Sequence, residues 1–137
     1  MAADTLLDAG PLVGALDQAD QWHRFGAEAF QRIRFPAFTT EAVISEAAYL
    51  LRGDARARMA LLEMVDSGAL VLLPVFPEGS AYVCAAAKRY GTRADVADLG
   101  LLWLAESRPS VTVCTTDGKD FRRYRLANGR PLKLDAP

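Results

Sequence analysis

Five acidic residues stand at positions where a carboxylate group can take part in chemistry. Asp8 and Asp117 directly follow apolar runs that are typical of buried strands, and Glu46, Asp95 and Asp98 fall within predicted helices. Carboxylates are hard oxygen ligands, and a set of them without His or Cys selects Mg²⁺ or Mn²⁺. Such an ion activates water and stabilises charge on a phosphoryl oxygen. The residue types therefore favour metal-dependent hydrolysis of phosphodiester bonds.

Glu46 and Asp98 are the two acids whose neighbours on the same side of the helix are apolar. These neighbours are Val43, Tyr49 and Leu50 for Glu46, and Leu101, Leu102 and Ala105 for Asp98. A charged carboxylate on an apolar face costs several kcal/mol if it is unpaired, so each acid needs a proton, a cation or a metal. An arginine partner is the open structural alternative for Glu46.

The other three acids also have structural alternatives. Asp8 and Asp117 are typical of turns that follow strands. Asp95, which follows Thr92 by three residues, is typical of a capping box or of an acid at a helix N-terminus. Among the four main acids, Asp117 has the weakest case as a direct ligand, and contact through a water is its alternative. Asp95 is the candidate fifth acid.

Gly and Pro residues divide the chain into short alternating strands and helices. The predicted strands are 5–7, 37–39, 71–73, 111–115 and 132–134, and the predicted helices are one after Gly10 and Pro11 and then 22–33, 40–52, 54–67, 78–90 and 94–107. Alternation of this kind predicts a mostly parallel sheet of four to five strands with helices on both faces. Ligands of such sheets bind beyond the carboxyl ends of the strands, where Asp8 and Asp117 are expected to meet.

Composition predicts one globular domain, 1–137. The chain has 51% hydrophobic and 24% charged residues and a net charge of −1, which by itself says nothing about nucleic acid. The C-terminal third is richer in Lys and Arg than in Asp and Glu, so the near-neutral total conceals a basic region. One histidine and two separated cysteines give no zinc-finger spacing.

No apolar run reaches the roughly 18–20 residues that a membrane-spanning helix needs. The segment Met1–Ala3 carries no basic side chain, so no signal peptide is predicted. We therefore expect a cytoplasmic protein without membrane contact.

Four motifs hold the acidic residues in order along the chain. They are LLDAGPLV at 6–13, TTEAVISE at 39–46, DVADL at 95–99 and TTDGKDF at 115–121. Each motif is weak alone, but their order and spacing over nearly the whole chain resemble the PIN-domain ribonucleases. The resemblance is strongest to the toxins of VapBC toxin–antitoxin pairs.

This resemblance implies a PIN-like three-layer α/β/α sandwich and a cytoplasmic Mg²⁺-dependent endoribonuclease toxin of a type II toxin–antitoxin system, with Mn²⁺ as the alternative ion. A metal-activated water would cleave RNA and leave a 5′-phosphate and a 3′-hydroxyl. The residues that match the catalytic positions are Asp8, Glu46, Asp98 and Asp117, and Asp95 joins them as a metal ligand. The implied partners are a cognate VapB-like antitoxin, whose tail occupies the groove, and a second copy of the chain in a homodimer.

One position departs from the family pattern. Many members carry Thr or Ser after the first Asp, where the hydroxyl supports the site, and this chain has Ala9. Thr115 or Thr116 is the candidate replacement donor.

Substrate phosphates are expected to contact Lys119, Arg93 and Arg122, with Thr115 and Thr116 beside them. A solvated basic face that also includes Arg123 and Arg125 is the alternative. The aromatic candidates for base stacking, each with a core or interface role as its alternative, are Trp22, Phe25, Tyr49 and Trp103.

Two competing functions stay open at this point. The first is a receiver-like signalling domain with a phosphorylatable Asp after a strand, but Asp8 has no acidic neighbour closer than Asp4. The second is a catalytically inactive PIN-like module that binds RNA or protein. The sequence does not distinguish a tRNA loop, a ribosomal loop or mRNA as the target, nor one metal ion from two.

Overall fold

Five short parallel strands form the centre of the structure. The computed structural model describes residues 4–137, so the expectation for Met1–Ala3 lies outside the described residues. The strands are β1 (Thr5–Leu7), β2 (Ala37–Thr39), β3 (Leu70–Leu72), β4 (Thr112–Cys114) and β5 (Lys133–Asp135). Their order in the sheet is β3-β2-β1-β4-β5, and each neighbouring pair is parallel. The prediction of a parallel sheet with four to five strands is confirmed.

Helices connect the strands and cover the sheet in a three-layer α/β/α arrangement. They are α1 (Ala9–Leu16), α2 (His23–Arg32), α3 (Glu41–Leu50), α4 (Ala55–Asp66), α5 (Ser80–Tyr90), a 3₁₀ turn (Gly91–Arg93), α6 (Val96–Glu106) and α7 (Gly118–Phe121). Within residues 4–137, no helix has the length and apolar character needed to cross a membrane.

Side-chain caps decide where several helices begin. Thr40 accepts a hydrogen bond from the Val43 amide at 3.2 Å and starts α3, and Asp54 accepts from two amides of the first turn of α4. Of the two structural alternatives for Asp95, the position at a helix N-terminus is observed in place of the capping box, because Asp95 is itself the N-cap of α6 and accepts from the Ala97 amide at 2.9 Å. Helix α6 therefore begins at Val96 instead of Ala94.

The core lies between the central strands and α6. Leu6 and Leu7 of β1 are completely buried, as expected for a strand that has neighbours on both sides and helices on both faces. Helix α6 is buried along most of its length, so it is apolar on nearly every side except at its first turn. The first turn of α6 carries the acidic residues of the third motif.

The sheet changes winding direction between β1 and β4. The chain leaves β1 through α1 and α2 toward β2, whereas it leaves β4 through α7 toward β5 at the opposite edge. Right-handed crossovers in opposite directions diverge at this point and leave a crevice beyond the carboxyl ends of the two strands. This topological switch point is the position where a ligand site is expected in an open α/β sheet.

Candidate functional site

Asp8 lies at the bottom of the crevice, directly after β1. Its backbone amide donates to the Cys114 carbonyl oxygen of β4 at 3.0 Å, so the residue is fixed to both central strands. Its Oδ1 accepts a hydrogen bond from the Ala9 amide at 2.8 Å and caps α1. The side chain is buried, and this places one carboxylate where the two crossovers diverge.

Thr115 connects Asp8 to the loop after β4. Its hydroxyl donates to Asp8 Oδ2 at 2.7 Å and accepts from the Asp117 amide at 2.9 Å. Thr115 is completely buried, whereas Thr116 is half-buried and covers Gly10, where a Cβ atom would collide with the threonine side chain. Of the two expected replacement donors for the position of Ala9, Thr115 is therefore the one that supports Asp8.

Asp98 enters the crevice from the first turn of α6. It is 9% exposed, and Leu101 and Leu102 on the same side of the helix are fully buried, as its apolar stripe predicts. The hydroxyl of Tyr124 donates to Asp98 Oδ2 at 3.2 Å. Tyr124 is itself completely buried and packs edge-on against Tyr90 and Phe121. The orientation of the Asp98 carboxylate is thus fixed by a rigid aromatic cluster.

The two buried carboxyls retain their protons more strongly than ordinary acids. Burial, followed by the negative charges of Asp8 and Asp95, raises the pKa of Asp98 to about 8, although the hydrogen bond from Tyr124 opposes this shift. Burial also raises the pKa of Asp8, against the hydrogen bonds from Thr115 and Ala9. Asp117 and Asp95 raise the Asp8 pKa further by repulsion. The crevice therefore disfavours negative charge unless a cation enters it.

Glu46 faces the same acids from α3, but it is exposed. Partial burial and the charges of Asp8 and Asp95 raise its pKa. The expectation that its apolar neighbours would bury it is wrong, because Tyr49 is 63% and Leu50 48% exposed. The arginine partner considered for Glu46 is not seen among residues 4–137.

Asp95 and Asp117 are exposed and serve as helix caps. Asp95 caps α6, and Asp117 caps α7 by accepting from the Asp120 amide at 3.1 Å. Asp95 therefore has the helix-terminus role given as its alternative, Asp117 caps a short helix where a turn was the alternative, and each cap uses the Oδ1 atom. Both residues also raise the pKa values of Asp8 and Asp98, so all five acids stand within electrostatic range of one crevice.

The described residues contain no basic side chain that neutralises this group. The ion pairs seen in residues 4–137 are Arg24–Glu28, Arg32–Asp135 and Arg123–Asp120, all of which lie outside the group of five acids. In the same part of the chain, no three His, Cys, Asp or Glu residues are placed together so that they could hold a metal ion. The acids form a loose group around the crevice and not a closed coordination shell.

The basic residues singled out from the sequence lie at the rim of the crevice. Lys119 and Arg122 are exposed on and just after α7, directly beyond the Asp117 cap, and Arg93 is exposed in the 3₁₀ turn before Asp95. The ion pairs within residues 4–137 include none of these three cations, and all three side chains are exposed to solvent.

Tyr124 is the residue of this site that the sequence analysis missed. It follows Phe121 at the spacing of one helical turn, and this apolar pair was a usable signal for burial. The surrounding Arg122, Arg123 and Arg125 made the segment resemble a solvated basic face. The basic side chains are exposed, but the two aromatic rings between them pack into the core.

Comparison with known proteins supports the fold. The chain matches no model of a known protein family, and no curated protein sequence is similar enough to count as a match. Its structure is similar to that of VapC20 from Mycobacterium tuberculosis, which is described as a toxin that cleaves the sarcin–ricin loop. The TM-score is 0.71 with 13% sequence identity, over 80% of this chain and 87% of that one. The chain therefore has the fold of a VapC-type PIN domain, and the predicted fold class is confirmed.

Proposed function

We propose that this chain, which has the fold of a VapC-type PIN domain, is a Mg²⁺-dependent endoribonuclease toxin of a type II toxin–antitoxin system. The observation that carries the proposal is the placement of Asp8 and Asp98. Both carboxylates are buried at the topological switch point, and neither has a cationic side chain beside it in residues 4–137. Buried acids of this kind are costly without a counter-charge, and divalent ions are the usual solution.

The donor set fits Mg²⁺, with Mn²⁺ as the alternative. All the candidate ligands are carboxylate oxygens, which these hard ions prefer. The side chains are not gathered as a coordination shell, so the exposed Glu46 and Asp117 would have to rotate toward the buried pair. Mg²⁺ keeps several of its waters and needs only one or two protein carboxylates, so this looser grouping is compatible with it. When bound, the ion supplies Lewis-acid charge and an activated water.

The residues of the chain would share the remaining work. Asp8 and Asp98 would hold the ion, since Thr115 and Tyr124 fix the direction of their carboxylates. Glu46 and Asp95 would add negative charge at the rim and complete the metal site, and Asp117 would act directly or through water. Exposed cations, Lys119 and Arg122 above all, would bind the phosphates that flank the cleaved bond.

RNA is the proposed substrate class. The structurally similar toxin is described as cleaving the sarcin–ricin loop, so ribosomal RNA is the first target to test, followed by tRNA and mRNA. Single-stranded loops suit a shallow crevice because their bases and phosphates are both accessible.

A protein partner is proposed from the surface of α3 and α4. Large apolar side chains are exposed there at Tyr49, Leu50, Met59 and Leu62. Exposed apolar groups that cluster on neighbouring helices are typical of protein interfaces. A cognate VapB-like antitoxin and a second copy of the chain are the proposed occupants, and a cytoplasmic location is proposed with them.

The test of the nuclease is cleavage of purified RNA by the parent protein and by Asp8→Asn and Asp98→Asn variants. Asn preserves the cap of α1 at position 8, because its amide oxygen accepts the same hydrogen bond. We expect cleavage that requires Mg²⁺ or Mn²⁺, leaves 5′-phosphate ends, and falls at least about 100-fold in each variant, since loss of a group that only orients a ligand already costs roughly 10- to 100-fold. Sequencing of the RNA ends after brief induction in cells would identify the target.

Asp66→Asn is the matched control. Asp66 is exposed at the end of α4, near the amino end of β3, whereas the acids lie beyond the carboxyl ends of the strands. Its substitution changes the formal net charge by the same amount. It should cleave RNA like the parent. If an Asp8→Asn or Asp98→Asn variant with a normal melting temperature also cleaves at the parent rate, the metal site is misassigned. If co-expression of a small neighbouring gene product does not relieve growth arrest, the toxin role is contradicted, but the proposed nuclease activity is not.

An inactive PIN-like module that binds RNA or protein is the second candidate, favoured by the absence of a closed metal shell in residues 4–137. Titration with Mg²⁺ or Mn²⁺ separates the two, because an inactive module would show no saturable, Asp98-dependent binding. A receiver domain is disfavoured by topology. Receiver-type sheets have the order 2-1-3-4-5, whereas this sheet has the order β3-β2-β1-β4-β5.

A further inference from the structure

A cavity of about 230 Å³ opens beside the acidic crevice, beyond the carboxyl ends of β2 and β3. Its walls are the first turns of α3 and α6 and the segment that follows β3. The lining residues include Thr40, Glu41, Leu73, Phe76, Val96 and Ala97. The lining is mostly apolar, and Ala97 directly precedes Asp98 on α6, so the cavity and Asp98 share the first turn of that helix.

The outer wall of the cavity is held rigidly. Val75 packs against Gly100, where even a single added Cβ atom would come within 3.2 Å of a valine methyl group. Gly79 donates its amide hydrogen to the Val75 carbonyl oxygen at 2.6 Å and lies against the Trp103 ring. Phe76 lies in the chain between Val75, which packs on Gly100, and Gly79, which packs on Trp103. Its backbone is therefore held on both sides.

The Phe76 ring is nevertheless 54% exposed. An exposed aromatic ring on a rigid wall presents a stacking surface without an ordering cost. The acid at the rim of this cavity is Glu41, which is also exposed and stands in the first turn of α3. Its carboxylate repels phosphate but accepts hydrogen bonds from amino groups, as acidic side chains do at the N4 amino group of cytosine.

The order of features along the edge of the sheet suggests a path for RNA. The apolar cavity follows β2 and β3, Asp8 follows the central β1, and the basic residues of α7 follow β4. An RNA strand that crosses this edge would place one base in the cavity, the next phosphate at the acids and a further phosphate at Lys119.

We propose that this cavity binds one unpaired nucleobase of the RNA, which stacks on Phe76 and donates its exocyclic amino group to Glu41. The proposal rests on the proposed ribonuclease function and adds a specificity element to it. Adenine, cytosine and guanine carry an exocyclic amino group, and uracil does not. Stacking on aromatic side chains is the general way in which proteins hold single-stranded bases.

The test measures binding of fluorescein-labelled oligoadenylate, oligocytidylate and oligouridylate by fluorescence anisotropy, in EDTA to prevent metal-dependent cleavage. The parent protein should bind the first two more tightly than oligouridylate. Phe76→Ala should weaken binding on the order of tenfold, since one stacked base is worth roughly that much, and Phe76→Trp should restore it. Glu41→Ala should remove the preference over oligouridylate while Phe76-dependent binding persists.

Phe35→Ala is the matched control. Phe35 is a half-buried phenylalanine just before β2, at the amino end of the sheet and away from the cavity, so a folded variant should keep the parent affinity. If Phe76→Ala binds RNA with the affinity of the parent, the base site is overturned. Mg²⁺-dependent cleavage is measured separately and tests the nuclease proposal independently. A parent that neither binds nor cleaves RNA overturns both proposals. If Phe76→Ala binds RNA like the parent but no longer binds the antitoxin, the cavity is a site for a protein partner and the base site is overturned.

Discussion

The hydroxyl of Thr115 donates a 2.7 Å hydrogen bond to Asp8 Oδ2. The two residues are 107 positions apart in the chain, but β1 and β4 are adjacent strands whose carboxyl ends coincide. The residue directly after Asp8 is Ala9, which carries no hydroxyl group. The neighbouring strand therefore supplies a hydroxyl that the local sequence lacks.

Thr115→Val should weaken metal binding about 10- to 100-fold, which is the usual effect of removing a group that orients a metal ligand. Valine keeps the shape and the β-strand preference but leaves Asp8 Oδ2 without its donor. Titration with Mn²⁺ by calorimetry measures the effect directly. Thr115→Ser should bind nearly as tightly as the parent.

Thr112→Val on the same strand is the control for this measurement. Thr112 lies at the opposite end of β4, so its substitution should not alter Mn²⁺ affinity. Equal Mn²⁺ affinities of Thr115→Val and Thr112→Val would show that the bond to Asp8 has no positioning role.

Tyr124→Phe should have a separate effect on Asp98. The change removes the 3.2 Å hydrogen bond and keeps the ring that packs on Tyr90 and Phe121. Because Asp98 is buried, we expect a loss of about 1–2 kcal/mol in the free energy of unfolding and a further rise in the Asp98 pKa. Chemical denaturation and the pH dependence of Mn²⁺ affinity report the two effects.

The same substitution at Tyr82 provides the comparison. Tyr82 also donates its hydroxyl to an acid, Glu106, at 2.7 Å, but outside the crevice. Tyr82→Phe should therefore lower stability without changing the pH dependence of metal binding. If both variants leave that pH profile unchanged, Tyr124 is a structural residue only.

Asp98→Asn should stabilise the metal-free protein at alkaline pH. The Asp98 carboxyl has a folded-state pKa of about 8, above the value of roughly 3.9 in an unfolded chain, so the folded state binds more protons between these values. The protonated Asp98 carboxyl therefore contributes to the free energy of unfolding at low pH, and this contribution is lost as the pH rises toward about 8. Asn carries no charge and removes this loss.

Melting temperatures in EDTA measure this difference. Asp98→Asn should exceed the parent by several degrees near pH 8 and by much less near pH 5. Mg²⁺ should raise the melting temperature of the parent and have little effect on the variant. A melting-temperature difference that is constant across this pH range would contradict the raised pKa.

Lys119→Ala should reduce the salt dependence of RNA binding. Each phosphate contact with a single strand contributes about 0.7 to the slope of log affinity against log salt concentration, and loss of one contact should lower the slope by that amount. The affinity should fall similarly for all RNA sequences, because phosphate contacts do not read bases. Lys133→Ala, at the amino end of β5, is the control and should retain the parent slope.

The sequence by itself determined the elements and their class. Alternating apolar runs and helical stripes predicted the strands, and Thr40 and Asp54 indicated two helix starts, because hydrophobic periodicity and capping are local properties. The apolar stripe around Asp98 also predicted a buried acid correctly, and the strand before Asp8 predicted its position at the end of β1. The four-residue α7 was missed, since a single turn has no periodicity to detect.

Tertiary structure decided which residues meet. Glu46 was expected on a buried stripe, but Tyr49 and Leu50 face solvent, because a helical stripe records only a preference and packing partners determine burial. The hydrogen bonds from Thr115 to Asp8 and from Tyr124 to Asp98 join positions far apart in the chain. Only the strand order and the packing of α6 against its neighbours bring them together, since sequence spacing carries no information about contacts between separate elements.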